Sequence, residues 1–329
     1  TQQKLSRSVA LKDNPEISAQ TRKTVQELAK QLGYKPNPIA VALKTHKSHS
    51  IGVIVPQIVS TFFATVVKTI EEVADCHGYN VLVISSNESF QKEQKSVEVL
   101  MANRADGIIL ALSHETKDYE HIKMIQESGT PIVLFDRTTN ELNVSRVVTD
   151  GVTAAFQAVQ HLVSEGCKRI ALLCGPENVT IGGNRMEGYE KAMEANHLPA
   201  KTELIWHCSD FTVEAGKETT RQLLSRPERP DAIFGITDDL AIGAIEAIKE
   251  KGLNIPEDIA VVGFSNTKRS RYMNPTVSSI NQFPEKIGRA AAELLFDQIL
   301  NSKHAQIKKE IINCELIIRE SSDRLCKTR

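Results

Sequence analysis

From residue 50 onward the chain alternates between two kinds of segment. A short apolar, β-branched run is followed by a stretch of helical period, then by another run. The runs fall at 50–55 (SIGVIV), 80–85 (NVLVIS), 107–112 (GIILAL), 131–135 (PIVLF), 145–149 (SRVVT), 169–174 (RIALLC), 203–208 (ELIWHC), 232–236 (AIFGI) and 259–264 (IAVVGF). Several are apolar at nearly every position, the pattern of strands covered on both faces. Amphipathic helices are expected between them. In Ala64–His77, Val66, Val67, Ile70, Val73 and Ala74 share one face, and Gly78-Tyr79-Asn80 stops the segment. A helix at 239–251 ends at Gly252, with Pro256 just beyond. Strand–helix alternation at this spacing predicts βαβ units and parallel sheets, an α/β fold. A helix at 284–301 and a last strand at 309–318 complete the count. The strands suit one large sheet or two smaller ones. In the second case Asp150-Gly151 and Pro275-Thr276 are the crossover points.

The first 49 residues read differently. They hold nine Lys or Arg and three acids, a net charge of +6, against −7 for the remaining 280 residues. Such a basic end on an acidic body is either a polyanion-binding appendage or a solvated charged arm. Ser18–Leu32 is expected to be a helix, with Ser18 as a possible N-cap, Val25, Leu28, Ala29 and Leu32 as its apolar stripe and Gly33 as its stop. Residues 5–12 look like a helix end, followed by a turn at Asp13-Asn14-Pro15. Pro36-Asn37-Pro38 breaks the chain again, and Ile39–Lys44 is a short helical turn leading into a linker at 45–49. A length of 329 residues accommodates this head and a body of two further domains.

The six cysteines, at 76, 167, 174, 208, 314 and 326, form no CxxC pair, and four lie in or beside apolar runs. That usage fits a reducing compartment without disulfides. No apolar run approaches the length of about 18 that a membrane span needs, and the start, TQQKLSRSVALKDN, has no signal-peptide h-region. The expected location is the cytoplasm.

Ligands of open parallel sheets bind beyond the carboxyl ends of the strands. The residues there are Asp136 and Arg137; Gly175-Pro176 and a long loop to Arg185; Ser209, Asp210 and Phe211; Thr237, Asp238 and Asp239; and Ser265 and Asn266. Phe62 and Phe63 follow the first strand. Acids, amides, arginines and flat rings suit a sugar or nucleoside: carboxylates accept from hydroxyls and rings stack on apolar faces. Each candidate also has a structural reading: Arg185 as an ion-pair partner, Phe63 as core, Asp238 as the N-cap of the helix it precedes. Enzyme signatures are missing; there is no GxSxG, HExxH or P-loop. His46 and His49 lack further ligands for a metal, and Gly182-Gly183 is not part of a GxGxxG. No enzyme activity, metal or cofactor is expected.

The spacing Ala10-Leu11, Asn14-Pro15-Glu16-Ile17-Ser18, Thr21-Arg22, Val25, Leu32-Gly33-Tyr34, Pro36-Asn37, Ala40, Leu43 and Ser50-Ile51-Gly52-Val53 resembles the lactose-repressor (LacI/GalR) family of bacterial regulators. The blocks ADGIIL (105–110), PIVLFDR (131–137), GPENVTIGGNRMEGY (175–189), TDDLAIGAI (237–245), IPEDIAVVGFSN (255–266) and NPTVSSINQ (274–282) extend the resemblance over nearly the whole chain. It implies a partial helix-turn-helix head at 1–37, a hinge helix and linker at 38–49, and two Rossmann-like lobes like those of a periplasmic sugar-binding protein. The N-lobe would be 50–149 plus 277–306 and the C-lobe 150–276 plus 307–329, joined by three crossover strands. It also implies a homodimer that binds operator DNA under control of a small, sugar-like effector.

Residue by residue, Phe63, Asp136, Arg185, Phe211 and Asp238 match effector-contacting positions of the family, and Ser265 stands where many members carry an Asp. Ser6, Arg7 and Ser8 take the places expected to face DNA. Tyr34, Lys35 and Asn37 fit backbone contacts, and Leu43 the minor-groove wedge of the hinge helix; Leu43 also reads as a staple between head and body. This chain departs from the family in lacking its first helix, in reading Ser6-Arg7-Ser8-Val9 where Thr-Val-Ser-Arg is usual, and in Val41, where Arg is common. A binding protein of the periplasmic type, without DNA work, is the rival reading, opposed by the +6 head and the missing signal peptide.

Overall fold

The structure is a computed structural model that describes residue 18, six positions between 20 and 31, and residues 47–175, 181–199, 202–301 and 306–324. The chain divides into two compact units, 1–50 and 51–329. In the first, Gln20, Lys23, Thr24, Glu27, Leu28 and Gln31 are helical, inside the expected 18–32 helix. The Thr24 hydroxyl donates to the Gln20 carbonyl at 3.0 Å, one turn back. Ser6, Arg7, Ser8, Tyr34, Lys35, Asn37 and Leu43 lie outside the described residues, as does the expected hinge helix.

The second unit begins with β1 (Ser50–Val55), α1 (Thr61–Cys76), β2 (Asn80–Ser85), α2 (Phe90–Ala102), β3 (Gly107–Leu110), α3 (Glu120–Glu127), β4 (Ile132–Phe135) and β5 (Ser145–Thr149). It continues with α4 (Gly151–Ser164), β6 (Ile170–Cys174), α5 (Ile181–Ala195), β7 (Ile205–His207), α6 (Val213–Leu224), β8 (Ala232–Gly235), α7 (Asp238–Glu250), β9 (Ala260–Phe264), α8 (Lys268–Tyr272) and β10 (Ser278–Asn281). Last come α9 (Pro284–Leu300), β11 (Lys309–Ile312) and β12 (Glu315–Ile317). The strands form two sheets of six, ordered β11-β5-β4-β3-β1-β2 and β12-β10-β9-β8-β6-β7. Of the two arrangements open to the sequence, the structure has two lobes.

Alternation along each strand explains why helices cover both faces. Ile51, Val53 and Val55 of β1 join Val66 and Ile70 of α1 and Leu295 of α9 in one core. Ile54 points the other way, into a core with Val97 and Leu100 of α2 and Ile122 and Ile125 of α3. A strand flanked by water on one side would expose half of these; burying each such side chain contributes about 1.5–3 kcal/mol. The second lobe repeats the plan around a core that includes Ile170, Leu172, Phe234, Val262 and Phe264. Gly78 and Gly252 end α1 and α7 with φ of +72° and +70°, the left-handed conformation that glycine adopts without strain.

The crossings differ from the expected boundaries. The strand β10 belongs to the second sheet, parallel to β9 with Ser278 opposite Val262. So 277–282 stays with the second lobe, and the return falls at 282–283, where Phe283 (φ 52°) caps α9. The expected strand at 309–318 is two strands. In the first sheet β11 pairs parallel with β5; in the second, β12 pairs antiparallel with β10. The third crossing therefore lies at 313–314, and 307–312 belongs to the first lobe. The physical reason is that β10 reads SSIN: its buried serines are satisfied by hydrogen bonds rather than by apolar packing. The Ser278 amide donates to Ser321 Oγ at 2.8 Å, and Ser278 Oγ donates to the Arg319 carbonyl at 3.0 Å.

Candidate ligand-binding cleft

A cavity of about 360 Å³ opens where the carboxyl ends of both sheets face each other. It is built on the turns after β1, β2, β4, β8 and β9 and on the starts of α1 and α7. Phe62, Phe63, Asp136, Arg137, Arg185, Phe211, Thr237, Asp238 and Ser265, drawn from both lobes, all line it. Three lining residues, Glu88, Asp136 and Ser265, have φ of 63°, 58° and 123°. Non-glycine residues held there cost on the order of 1–3 kcal/mol each, and such strain concentrates at binding sites.

Asp136 follows β4, its backbone N–H donating to the Val147 carbonyl at 2.9 Å. Among the described residues no group hydrogen-bonds its carboxylate. Burial raises its pKa, and the nearby charges of Arg137 and Arg185 only partly offset the rise. Arg185, on α5, is 8% exposed. Burial pushes the guanidinium down to about 10, against the opposing pull of Asp136. One of its nitrogens donates to the Ile236 carbonyl, and its Cζ sits 3.7 Å from the Phe264 ring centroid. The Arg185 guanidinium and the Asp136 carboxylate, close enough to influence each other's charge, offer a donor and an acceptor on the wall of the cavity.

Asp238 is differently employed. It is 1% exposed; its Oδ1 accepts from Ser279 Oγ at 2.5 Å and its Oδ2 from the Thr267 amide at 2.6 Å. Burial raises its pKa in spite of those bonds. The N-cap of α7 is Thr237, whose hydroxyl accepts from the Leu240 amide at 3.3 Å; the capping reading of Asp238 is thereby corrected. Asp238 ties the loop before α8 to β10 while also lining the cavity.

Phe63 is 5% exposed and belongs to the first-lobe core. Its ring meets Phe62 at 5.2 Å and Phe135 at 6.1 Å, both edge to face, and it also lines the cavity. Phe211 packs over the bare Cα of Gly175. Ser265 Oγ donates to Gln282 Oε1 at 3.1 Å, a contact that does not use the Gln282 amide nitrogen.

Glu88, Gln282, Asp239 and Arg269 also reach the cavity, and the first of them governs Arg137. Arg137 Nη1 lies 2.5 Å from Glu88 Oε2, and the His114 amide donates to the same oxygen at 3.1 Å. Burial alone would raise the Glu88 carboxyl; Arg137 and His114 hold it below its usual value. Glu88 follows β2, so inspecting that strand end as the others were inspected finds it. Gln282 sits after the polar β10, which no apolar pattern marks. Arg269 approaches Asp239 at 3.9 Å, and both line the cavity.

The model of "Periplasmic binding proteins and sugar binding domain of LacI family" matches residues 48–320. The HTH-type transcriptional repressor CytR of Escherichia coli (strain K12) is 34% identical over 315 residues, 96% of this chain and 91% of that protein. Among solved structures, the transcriptional regulator CelR–cellobiose complex superposes with a TM-score of 0.76 at 27% identity, over 95% of this chain and 94% of that one. The lac repressor dimer bound to operator and an anti-inducer shares the fold, with a TM-score of 0.86 at 24% identity over 97% and 94% of the two chains. None of the described helices is long and apolar enough to cross a membrane. With a matched domain spanning both lobes and a repressor alike along almost its whole length, the chain belongs to the LacI family.

Proposed function

We propose that this chain is a transcriptional repressor, acting as a homodimer on operator DNA in the cytoplasm, whose grip on DNA is set by a sugar or sugar derivative bound between the lobes. The observation that carries this reading is the Asp136 carboxylate, without a hydrogen-bond partner among the described residues, in one cavity with the Arg185 guanidinium, Phe62, Phe63 and Phe211. A hydroxyl donates to the first, a ring or hydroxyl oxygen accepts from the second, and the rings cover apolar C–H faces. Recruiting both lobes to one ligand gives it different affinities for open and closed arrangements, which is the only way a ligand drives such a switch. The +6 head supplies the attraction to DNA phosphates. We read the cleft as a binding site without turnover, since Asp238, the second buried carboxylate, is engaged by Ser279 and Thr267.

The test is a thermal-shift panel of sugars and nucleosides, followed by operator titration with and without the hit. A ligand that binds only the folded state raises the melting temperature by mass action. We expect a saturable rise from a polyhydroxyl compound, lost in Asp136→Asn, and a change in operator affinity when it is present. If no compound shifts the melt, or the hit leaves DNA affinity unaltered, the reading fails.

A further inference from the structure

A second cavity, of about 540 Å³, lies behind the wall that Asp136, Arg137 and Arg185 present to the cleft. Its floor is the face shared by β5 and β11. In that parallel pair Lys309 stands opposite Arg146, and Ile311 opposite Val148. Two cations thus sit side by side on neighbouring strands, an arrangement that is destabilising unless a negative charge lies between them. Among the described residues no carboxylate pairs with either. Arg146 Nη1 donates to the Thr139 carbonyl at 2.5 Å, while its Nε is buried without a hydrogen-bond partner among the described residues. The Nε of Arg137 is in the same condition, although its Nη1 holds Glu88.

The lining thus brings four cations, Arg137, Arg146, Arg185 and Lys309, against two acids, Asp136 and Asp150. Asp150 is occupied in part, accepting from the Thr153 amide at 3.1 Å as the N-cap of α4. Beside the cations, Val148 and the half-exposed Ile311 form an apolar strip. A phosphate group offers three strong acceptor oxygens, and planar guanidinium forks match them. The strip leaves room for an organic body.

We propose that this rear cavity binds a small phosphate-bearing ligand, held by Arg146 and Lys309 with its body over Val148 and Ile311. The inference stands apart from the proposed function, since neither Arg146 nor Lys309 reaches the cleft. Arg185 is common to both cavities, so an anion behind the wall competes with Asp136 for its guanidinium, and the two sites are coupled through it.

The test is calorimetric titration of the full chain, at constant ionic strength, with inorganic phosphate and phenyl phosphate, and with phenol as the uncharged control. Saturable binding of both phosphates is expected, tighter for phenyl phosphate, with none for phenol. Arg146→Gln and Lys309→Gln each weaken it by about tenfold, as loss of a charge-assisted hydrogen bond does, while Arg269→Gln, which removes a cation of the cleft alone, leaves it unchanged. Lys309→Glu abolishes binding and raises the melting temperature of the unliganded protein, because an acid then faces Arg146. The proposal is overturned if phosphate produces only an unsaturable salt effect, or if Arg269→Gln removes binding that Arg146→Gln and Lys309→Gln retain. A lower melting temperature for Lys309→Glu overturns its premise of uncompensated cations.

Discussion

At the scale of single residues, burial decides what each ionisable group does. Asp238 is buried and Asp136 half-buried, and burial raises the pKa of both, yet among the described residues the carboxylate oxygens of Asp238 are hydrogen-bonded and those of Asp136 are not. Replacing Arg185 by Gln is expected to weaken a cleft ligand by about 10- to 100-fold, the loss of a hydrogen bond to a charged group, read by calorimetry on a protein with an unchanged circular dichroism spectrum. His161, on α4, is 8% exposed and its Nε2 lies 2.7 Å from Ser322 Oγ, holding the last segment of the chain. Burial lowers its pKa below 6.5. A folded value below the unfolded one means that this contribution is fully present above pH 6.5 and is lost as pH falls toward the folded value. Urea melts from about pH 7.5 to about pH 5 are expected to show a slope of up to about 1.4 kcal/mol per pH unit, and His161→Gln to flatten it. Equal slopes in the two proteins would remove His161 from the account.

Among the elements, close helix packing carries the predictions. Gly288 on α9 lies against α1, where a Cβ would come within 2.6 Å of the Val66 carbonyl oxygen. Gly216 on α6 meets the Leu240 carbonyl of α7 at the same distance. Valine at either site forces the helices apart, at about 1–3 kcal/mol by the usual scale of overpacking. Denaturant melts measure it, and an unchanged midpoint for both variants contradicts the packing described. The strands were legible because nearly every position in β1, β3, β4, β6, β8 and β9 is apolar. The helix ends were legible because Gly78 and Gly252 supply left-handed turns. By contrast, β10 was not: Ser278 and Ser279 are fully buried, but their side-chain hydrogen-bond partners lie in the loop after β9, at Asn266, in the C-terminal segment and at Asp238.

For the whole molecule, the charge asymmetry of +6 against −7 governs encounter with a polyanion. If the head binds operator DNA, log affinity falls linearly with log salt, by about a thousandfold between about 50 and about 200 mM. A flat salt dependence in a filter-binding or anisotropy titration would exclude the head as the electrostatic contact. The crossings between lobes are few, and two lie side by side: the Asp150 amide donates to the Ile312 carbonyl at 3.4 Å, and Thr149 pairs with Ile312. A joint so narrow is what a ligand-driven change of lobe angle requires.

The amino-acid order alone determined most of the segments that become strands and helices, β10 and the split between β11 and β12 apart, because apolar periodicity and turn glycines act within a few residues of themselves. It also pointed to the strand ends that line the cleft, since the position of a site in open parallel sheets follows from the alternation of strand and helix. Only the tertiary structure decided which lobe β10 and β11 join, that Glu88 rather than Asp136 holds Arg137, and that both oxygens of Asp238 are spent on Ser279 and Thr267. The side-chain outcomes depend on partners 29 to 49 residues away in sequence, and β11 joins a strand far earlier in the chain, Lys309 opposite Arg146; no local pattern records the meeting of groups that only the folded chain brings within hydrogen-bonding distance.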